Sequence, residues 1–150
     1  MIRFSKIKHN VRELIPRLES YFASRPEVEF AYLFGSYAES RETPLSDVDI
    51  AIFLGDHVQR REYFDLRLRM MVDVSHLIHT NEIDLIILNE ANICLAYHAV
   101  STREVLYERD PNSRIEFEAR TIDRYLDTKP LRQIQQQYFL RQVREGLTFG

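Results

Sequence analysis

The sequence FGSYAESRETPLSDVDIAIFL, residues 34–54, joins the end of one apolar strand to the start of another. Gly35 and Ser36 follow the first strand, and after ten further residues Asp47 and Asp49 open the second. Residues two apart on a β-strand point to the same side, so we expect these two aspartates to project together. Apolar residues follow them directly, which predicts partial burial, and two repelling carboxylates in that setting favour a bound cation.

A third carboxylate, Asp84, is the one charged residue in a predicted strand at 83–88. If that strand lies beside the Asp47 strand, three carboxylates converge, and carboxylate oxygens are ligands that Mg²⁺ uses. Three carboxylates suffice for two metal ions about 3.5–4 Å apart, as in phosphoryl displacement. Two simpler readings stay open: Asp47 as a turn residue at a strand start, and Asp84 as a residue at a strand end or sheet edge.

The Gly35-Ser36 pair is typical of a turn that holds phosphate. Glycine lets the backbone approach an anion, free N–H groups at a helix start point at it, and the serine hydroxyl adds a donor. We expect Ser36 to cap a short helical turn over residues 37–40. A Gly-Ser pair alone is common, and its spacing from the two aspartates makes the prediction more specific.

Outward from this stretch, hydrophobic periodicity predicts a small mixed sheet backed by helices, an α/β (α+β) fold. Predicted strands are 28–34, 47–54, 83–88 and 104–107, and predicted helices are 9–24, 59–79 and 90–99. Pro16 either kinks the first helix or starts a second segment there. Two further helices are predicted at the C-terminus, one ending at Lys129-Pro130 and one carrying Leu131, Ile134, Tyr138 and Val143. We expect one domain over 1–150, with a catalytic core at about 28–107 and a helical part at about 110–147.

Composition narrows the class of protein. The chain has 150 residues, is 45% hydrophobic and carries a net charge of −3, which argues against a large basic surface for nucleic acid. The single cysteine excludes an internal disulfide. The first residues lack the apolar run of a signal peptide and no apolar run is long enough to span a membrane. A cytoplasmic protein that binds neither membrane nor nucleic acid directly is therefore expected.

The pattern Gly35-Ser36, ten residues, Asp47-Val48-Asp49 resembles the signature of the polymerase β nucleotidyltransferase superfamily. The small size and the run from Gly35 to Ile50 are similar to those of minimal nucleotidyltransferase (MNT) antitoxins, which pair with HEPN toxins. This resemblance implies a polymerase β palm-like fold and a cytoplasmic enzyme that uses ATP and Mg²⁺, with two ions expected. The implied reaction is transfer of AMP to a tyrosine of the partner HEPN toxin, which blocks its RNase activity.

The resemblance also implies the role of each site residue. Gly35 and Ser36 would hold the triphosphate, while Asp47, Asp49 and Asp84 would be both metal ligands and catalytic residues. Many relatives carry an arginine and a further glycine just after Gly-Ser, whereas here Arg41 is the first basic residue. Either Arg41 takes over a phosphate contact, as a nucleotide-binding residue, or the triphosphate is held less firmly.

Other functions stay open at this point. The chain could neutralise a toxin by binding alone, with an inactive site, or it could transfer a nucleotide to a small molecule such as an aminoglycoside. The retained charge cluster disfavours the first alternative, and the lack of an obvious second domain disfavours the other.

Overall fold

A computed structural model describes residues 11–36, 38 and 47–146. The predicted turn at 37–40 and Arg41 lie outside these described residues, apart from Ala38. A short 3₁₀ helix, Val11–Leu14, leads into helix α1, Ile15–Ala23. Pro16 lies in the first turn of α1, where its missing N–H costs no hydrogen bond, so the reading in which Pro16 opens a new segment is confirmed.

Four strands form one sheet in the order β3-β2-β1-β4, as the mixed-sheet prediction requires. They are β1 (Val28–Phe34), β2 (Val48–Leu54), β3 (Ile83–Ile87) and β4 (Glu104–Glu108). Strand β1 is antiparallel to both β2 and β4, whereas β2 is parallel to β3. The central strands are apolar almost throughout because helices cover both of their faces.

Helix α2, Tyr63–Ile78, follows a 3₁₀ turn at Arg60–Glu62 and connects the parallel strands β2 and β3. It buries Leu66, Met70 and Val74, which are spaced one helical turn apart. These side chains join α1 and alternate sheet residues in one hydrophobic cluster. Phe64 and Leu68 are also apolar, but they lie on the opposite side of the helix and are exposed.

The other face of the sheet is covered by α3, Ile93–Thr102, and by α4, Pro111–Arg144. A second cluster lies there and contains Phe30, Tyr32, Phe34 and Ala51 from the sheet, packed against Ala96, Ala99 and Val100 of α3. Cys94 on α3 is exposed, not buried. None of the described helices is long and apolar enough to cross a membrane.

The predicted pair of C-terminal helices is wrong: Pro111–Arg144 is one helix of 34 residues, with Pro130 inside it. Proline removes a backbone donor, but side-chain bonds surround this position. Arg132 donates to the hydroxyls of Thr128 and Tyr125 and to the carbonyl of Tyr125, at 2.9–3.1 Å. These contacts tie the turn before Pro130 to the turn after it, so the helix continues.

Candidate active site

Strand pairing brings two of the predicted carboxylates together. Asp49 of β2 and Asp84 of β3 are direct partners in the parallel ladder, where adjacent strands run about 4.8 Å apart. Both residues alternate with the core residues of the α2 side, so they lie on the face covered by α3 and α4. Asp47 immediately precedes β2, which begins at Val48 rather than at the predicted residue 47.

The carboxyl of Asp49 has a raised pKa. Burial is the largest cause, the negative charges of Asp84 and then Asp47 add to it, and together they raise the pKa of Asp49 from 3.8 to about 6. The imidazole of His98 acts in the opposite direction. Three carboxylates thus interact electrostatically, and the balance between them favours a cation at Asp49.

Gly35 lies directly against the Asp49 carboxylate. Its φ of +71° is in the left-handed region, and a Cβ placed on it would be 2.5 Å from Oδ2 of Asp49. The Gly35 N–H donates to Oγ1 of Thr102 on α3 at 3.0 Å. Glycine is therefore required for two reasons, the backbone conformation and the close approach to the carboxylate. Ser36 follows, half-buried, at the same end of β1.

Two residues near the carboxylates were missed by the sequence reasoning. His98 on α3 is exposed and meets the Phe34 ring edge-on, with ring centroids 5.8 Å apart. Arg67 on α2 donates from Nε to the carbonyl of Leu85 at 2.7 Å, and its Nη2 is 3.8 Å from Oδ1 of Asp84. Sequence patterns assign Arg67 to a solvated helix face and give His98 no distinguishing spacing, because helix packing alone places them here.

The carboxylates suit an Mg²⁺ ion whose coordination is completed by water and substrate phosphates. Among residues 11–36, 38 and 47–146, no group of three or more Asp, Glu, His or Cys side chains is close enough to hold a metal ion. Mg²⁺ typically uses one or two carboxylates and completes its octahedron with water and substrate phosphates. The repelling oxygens of Asp49 and Asp84 fit that shared arrangement.

The family model described as polymerase beta, nucleotidyltransferase matches residues 17–112, which is more than half of the chain. The chain belongs to the polymerase beta nucleotidyltransferase family. The match includes Gly35, Ser36 and all three aspartates, and it ends at the start of α4. A comparison with curated protein sequences found no significant match.

Solved structures with the same fold agree with this nucleotidyltransferase membership. A chain of a toxin–antitoxin crystallised with AMP-PNP is 23% identical, with a TM-score of 0.64, and the alignment covers 85% of this chain and 97% of that one. A chain from a complex of a tri-AMPylated Shewanella oneidensis HEPN toxin with MNT antitoxin is 20% identical, with a TM-score of 0.64. That alignment covers 87% of this chain and 99% of the other. A chain of the toxin–antitoxin MntA-HepT is 19% identical, with a TM-score of 0.62, and the alignment covers 86% of this chain and 98% of the other. These likenesses confirm the predicted fold.

Proposed function

We propose that this chain is a Mg²⁺-dependent adenylyltransferase that acts as an antitoxin by transferring AMP from ATP to a tyrosine of a HEPN toxin. One observation carries the proposal: Gly35 brings the backbone against the Asp49 carboxylate, next to Asp84. A phosphate-binding turn and a cation-binding pair are thereby in contact, as a metal–triphosphate substrate requires. Solved structures similar in fold include an AMP-PNP complex and an AMPylated toxin.

In the proposed reaction, the tyrosine oxygen of the acceptor attacks the α-phosphorus of ATP. A P–O bond forms there, the bond to the β-phosphate oxygen breaks, and pyrophosphate leaves. Bound Mg²⁺ would neutralise charge that develops on the phosphate oxygens. Asp47, Asp49 and Asp84 would supply ligands for two ions, with one or two carboxylates to each ion and substrate phosphates completing the coordination. Asp84 would also accept the tyrosine proton.

The turn after β1 has the complementary role. The backbone at Gly35 and the hydroxyl of Ser36 would hold the triphosphate in line with the acceptor, which lowers the entropic part of the barrier. Arg41 is proposed to contact a phosphate as well. The catalytic core that would carry out this reaction is proposed to span about residues 28–107. The reaction is proposed to take place in the cytoplasm, where ATP is available.

The outer part of α4 is the proposed docking surface for the HEPN protein. From residue 133 to 141 every side chain is exposed, and the segment includes large apolar residues at Ile134, Tyr138, Phe139 and Leu140. Large exposed apolar patches mark interaction sites, and aromatic residues are enriched in the centres of interfaces. The same observation favours a second candidate function, neutralisation by binding alone.

One experiment separates these functions. The chain is incubated with labelled ATP, Mg²⁺ and the HEPN toxin that this proposal assigns as its partner, and label on the HEPN protein is measured together with residual RNase activity. We expect label and neutralisation with the wild type and with Asp123→Asn, whose carboxylate is exposed on α4. Asp47→Asn/Asp49→Asn should give neither. Unlabelled HEPN protein in the wild-type reaction would rule out the transferase, and neutralisation by the double variant would establish the binding function.

A further inference from the structure

A cavity lies on the same face of the sheet as the carboxylate site, but at the opposite end of β2. Its volume is about 440 Å³, within the range of small-molecule pockets. Phe53 and Asp49 are four residues apart on β2, so the cavity is about 13 Å from the carboxylate site along the strand. Its lining comes from the end of β2, the start of α2, the loop before α3, α3 itself and α4, and it includes Phe53, Asp56, Asn89, Phe117, Arg120 and Arg124.

The inner wall of this cavity is aromatic and rigid. Phe117 of α4 packs on Phe53 with ring centroids 4.9 Å apart, and Phe53 stacks on Phe30 at 4.9 Å and 7°. The Asn89 side chain accepts from the N–H of Leu54 at 2.8 Å and donates to its carbonyl at 2.9 Å. Asn89 is thus committed to holding the wall, and the rings offer an apolar surface for a flat group.

Two arginines lie over this wall on one face of α4. Arg120 and Arg124 are one helical turn apart, and they flank Thr121, which is buried. Like charges at this spacing repel. In the part of the chain that the structure describes, neither guanidinium has an ion-pair or hydrogen-bond partner. Other arginines of the helix do: Arg114 pairs with Glu108 and Glu118, and Arg132 bonds to Tyr125.

We propose that this cavity binds a small aromatic organic phosphate. The phosphate would accept hydrogen bonds from Arg120 and Arg124, since planar guanidinium groups suit phosphate oxygens and a dianion relieves their repulsion. The ring would lie on Phe53 and Phe117. Asp56, exposed on the cavity rim, would accept a hydrogen bond from a hydroxyl or amino group of a larger ligand. This site is separate from the carboxylates and does not depend on the proposed transfer reaction.

Phenyl phosphate is the test ligand, titrated into the full chain in EDTA so that no divalent metal is available at the carboxylates. Binding is followed by calorimetry and by the NMR signal of the Asn89 side-chain amide, which lies in the cavity wall. We expect one saturable site and a shift of that amide signal. Inorganic phosphate, which lacks the ring, should bind about tenfold more weakly.

The variant pair decides the assignment. Arg120→Gln/Arg124→Gln should weaken phenyl phosphate about tenfold or more, whereas Arg144→Gln, an exposed arginine at the far end of α4, should bind as the wild type does. Far-ultraviolet circular dichroism checks that all variants are folded. No saturable binding up to about 10 mM, equal binding by the double variant, or equal weakening by Arg144→Gln would each overturn the proposal.

Discussion

At the scale of single residues, Gly35 and Asp49 depend on each other. Gly35→Ala places a methyl group only 2.5 Å from Oδ2 of Asp49 and forces an L residue to adopt a φ of +71°. We expect a loss of about 2–3 kcal/mol of unfolding free energy and of most transferase activity, because Asp49 must move. Urea unfolding and transfer of labelled AMP measure the two effects.

Gly146→Ala is the matched control for this substitution. Gly146 has nearly the same φ, +73°, but a Cβ there meets nothing within 4 Å. Gly146→Ala should lose only the part of the unfolding free energy that depends on backbone conformation, about 1 kcal/mol, and should keep full transferase activity. Equal losses in the two variants would show that contact with Asp49 is unimportant and that backbone conformation accounts for the whole effect.

The carboxyl of Asp49 should make stability depend on pH in an unusual direction. Its pKa is raised from 3.8 to about 6 by burial and by Asp84 and Asp47. The folded chain then binds the proton more tightly than the unfolded chain, so stability falls as the pH rises through this interval. In EDTA, Asp49→Asn should be more stable than the wild type at pH 7 by roughly 1 kcal/mol after solvent screening, with little difference at pH 4.

Thermal unfolding at a series of pH values in EDTA measures this effect, with Asp123→Asn as the control at an exposed position. Mg²⁺ should reduce the advantage of Asp49→Asn, because a cation offsets the repulsion in the wild type. A variant that is less stable than the wild type at pH 7 would contradict this account of the site.

Sequence reasoning reached the residues of this site unevenly. Gly35, Asp47 and Asp49 lie in one short stretch, so alternation along a strand and the properties of glycine suffice to connect them. Asp84 required only that two parallel strands be neighbours. His98 and Arg67 come from helices whose packing angle no local pattern encodes, and their places beside Phe34 and Asp84 follow from tertiary structure alone.

At the scale of elements, α4 shows why the C-terminal prediction was wrong. Ile115, Ile122 and Leu126 form an apolar pattern at helical spacing in this segment, yet all three are exposed. Helix α4 instead buries Glu118 and Thr121 against the sheet. A polar contact of this kind leaves no hydrophobic periodicity, so the pattern that predicted the strands and α2 could not predict how α4 packs.

Glu118 is the central contact between α4 and the sheet. Its carboxylate accepts from the Tyr32 hydroxyl at 3.1 Å and pairs with Arg103 at 2.9 Å and with Arg114. Only 8% of its side chain is exposed. Its loss would leave the buried Tyr32 hydroxyl and the Arg103 guanidinium without this acceptor, and Arg114 would keep only Glu108. Glu118→Ala should cost about 3 kcal/mol in urea unfolding.

Glu116→Ala is the comparison variant, two residues earlier on the exposed side of the same helix. It should change stability by no more than about 0.5 kcal/mol. If the two variants unfold at the same urea concentration, the Glu118 cluster does not hold α4 on the sheet.

At the scale of the whole molecule, α4 is the longest of the described elements, and most of its length buries no residue. Its 34 residues span about 51 Å. Its two buried residues lie in the first third, whereas the large apolar side chains near its end are exposed, Ile134 and Tyr138 each by 62%. Solvation of so many large apolar groups is unfavourable, and a partner that covers them would gain binding energy from their burial.

The proposed HEPN interface therefore predicts a separation between folding and association. Ile134→Ser/Tyr138→Ser should leave the unfolding free energy within about 0.5 kcal/mol of the wild type, since neither side chain packs on the domain. Affinity for the HEPN protein should fall by about 2 kcal/mol or more, and AMP transfer to it should fall in parallel. Phe64→Ser/Val72→Ser removes apolar groups that are 66% and 56% exposed on α2. This control should lower neither the affinity for the HEPN protein nor AMP transfer to it. Equal weakening by the two double variants would show that loss of surface hydrophobicity alone is responsible. Unchanged affinity after Ile134→Ser/Tyr138→Ser would place the interface on another face of the molecule.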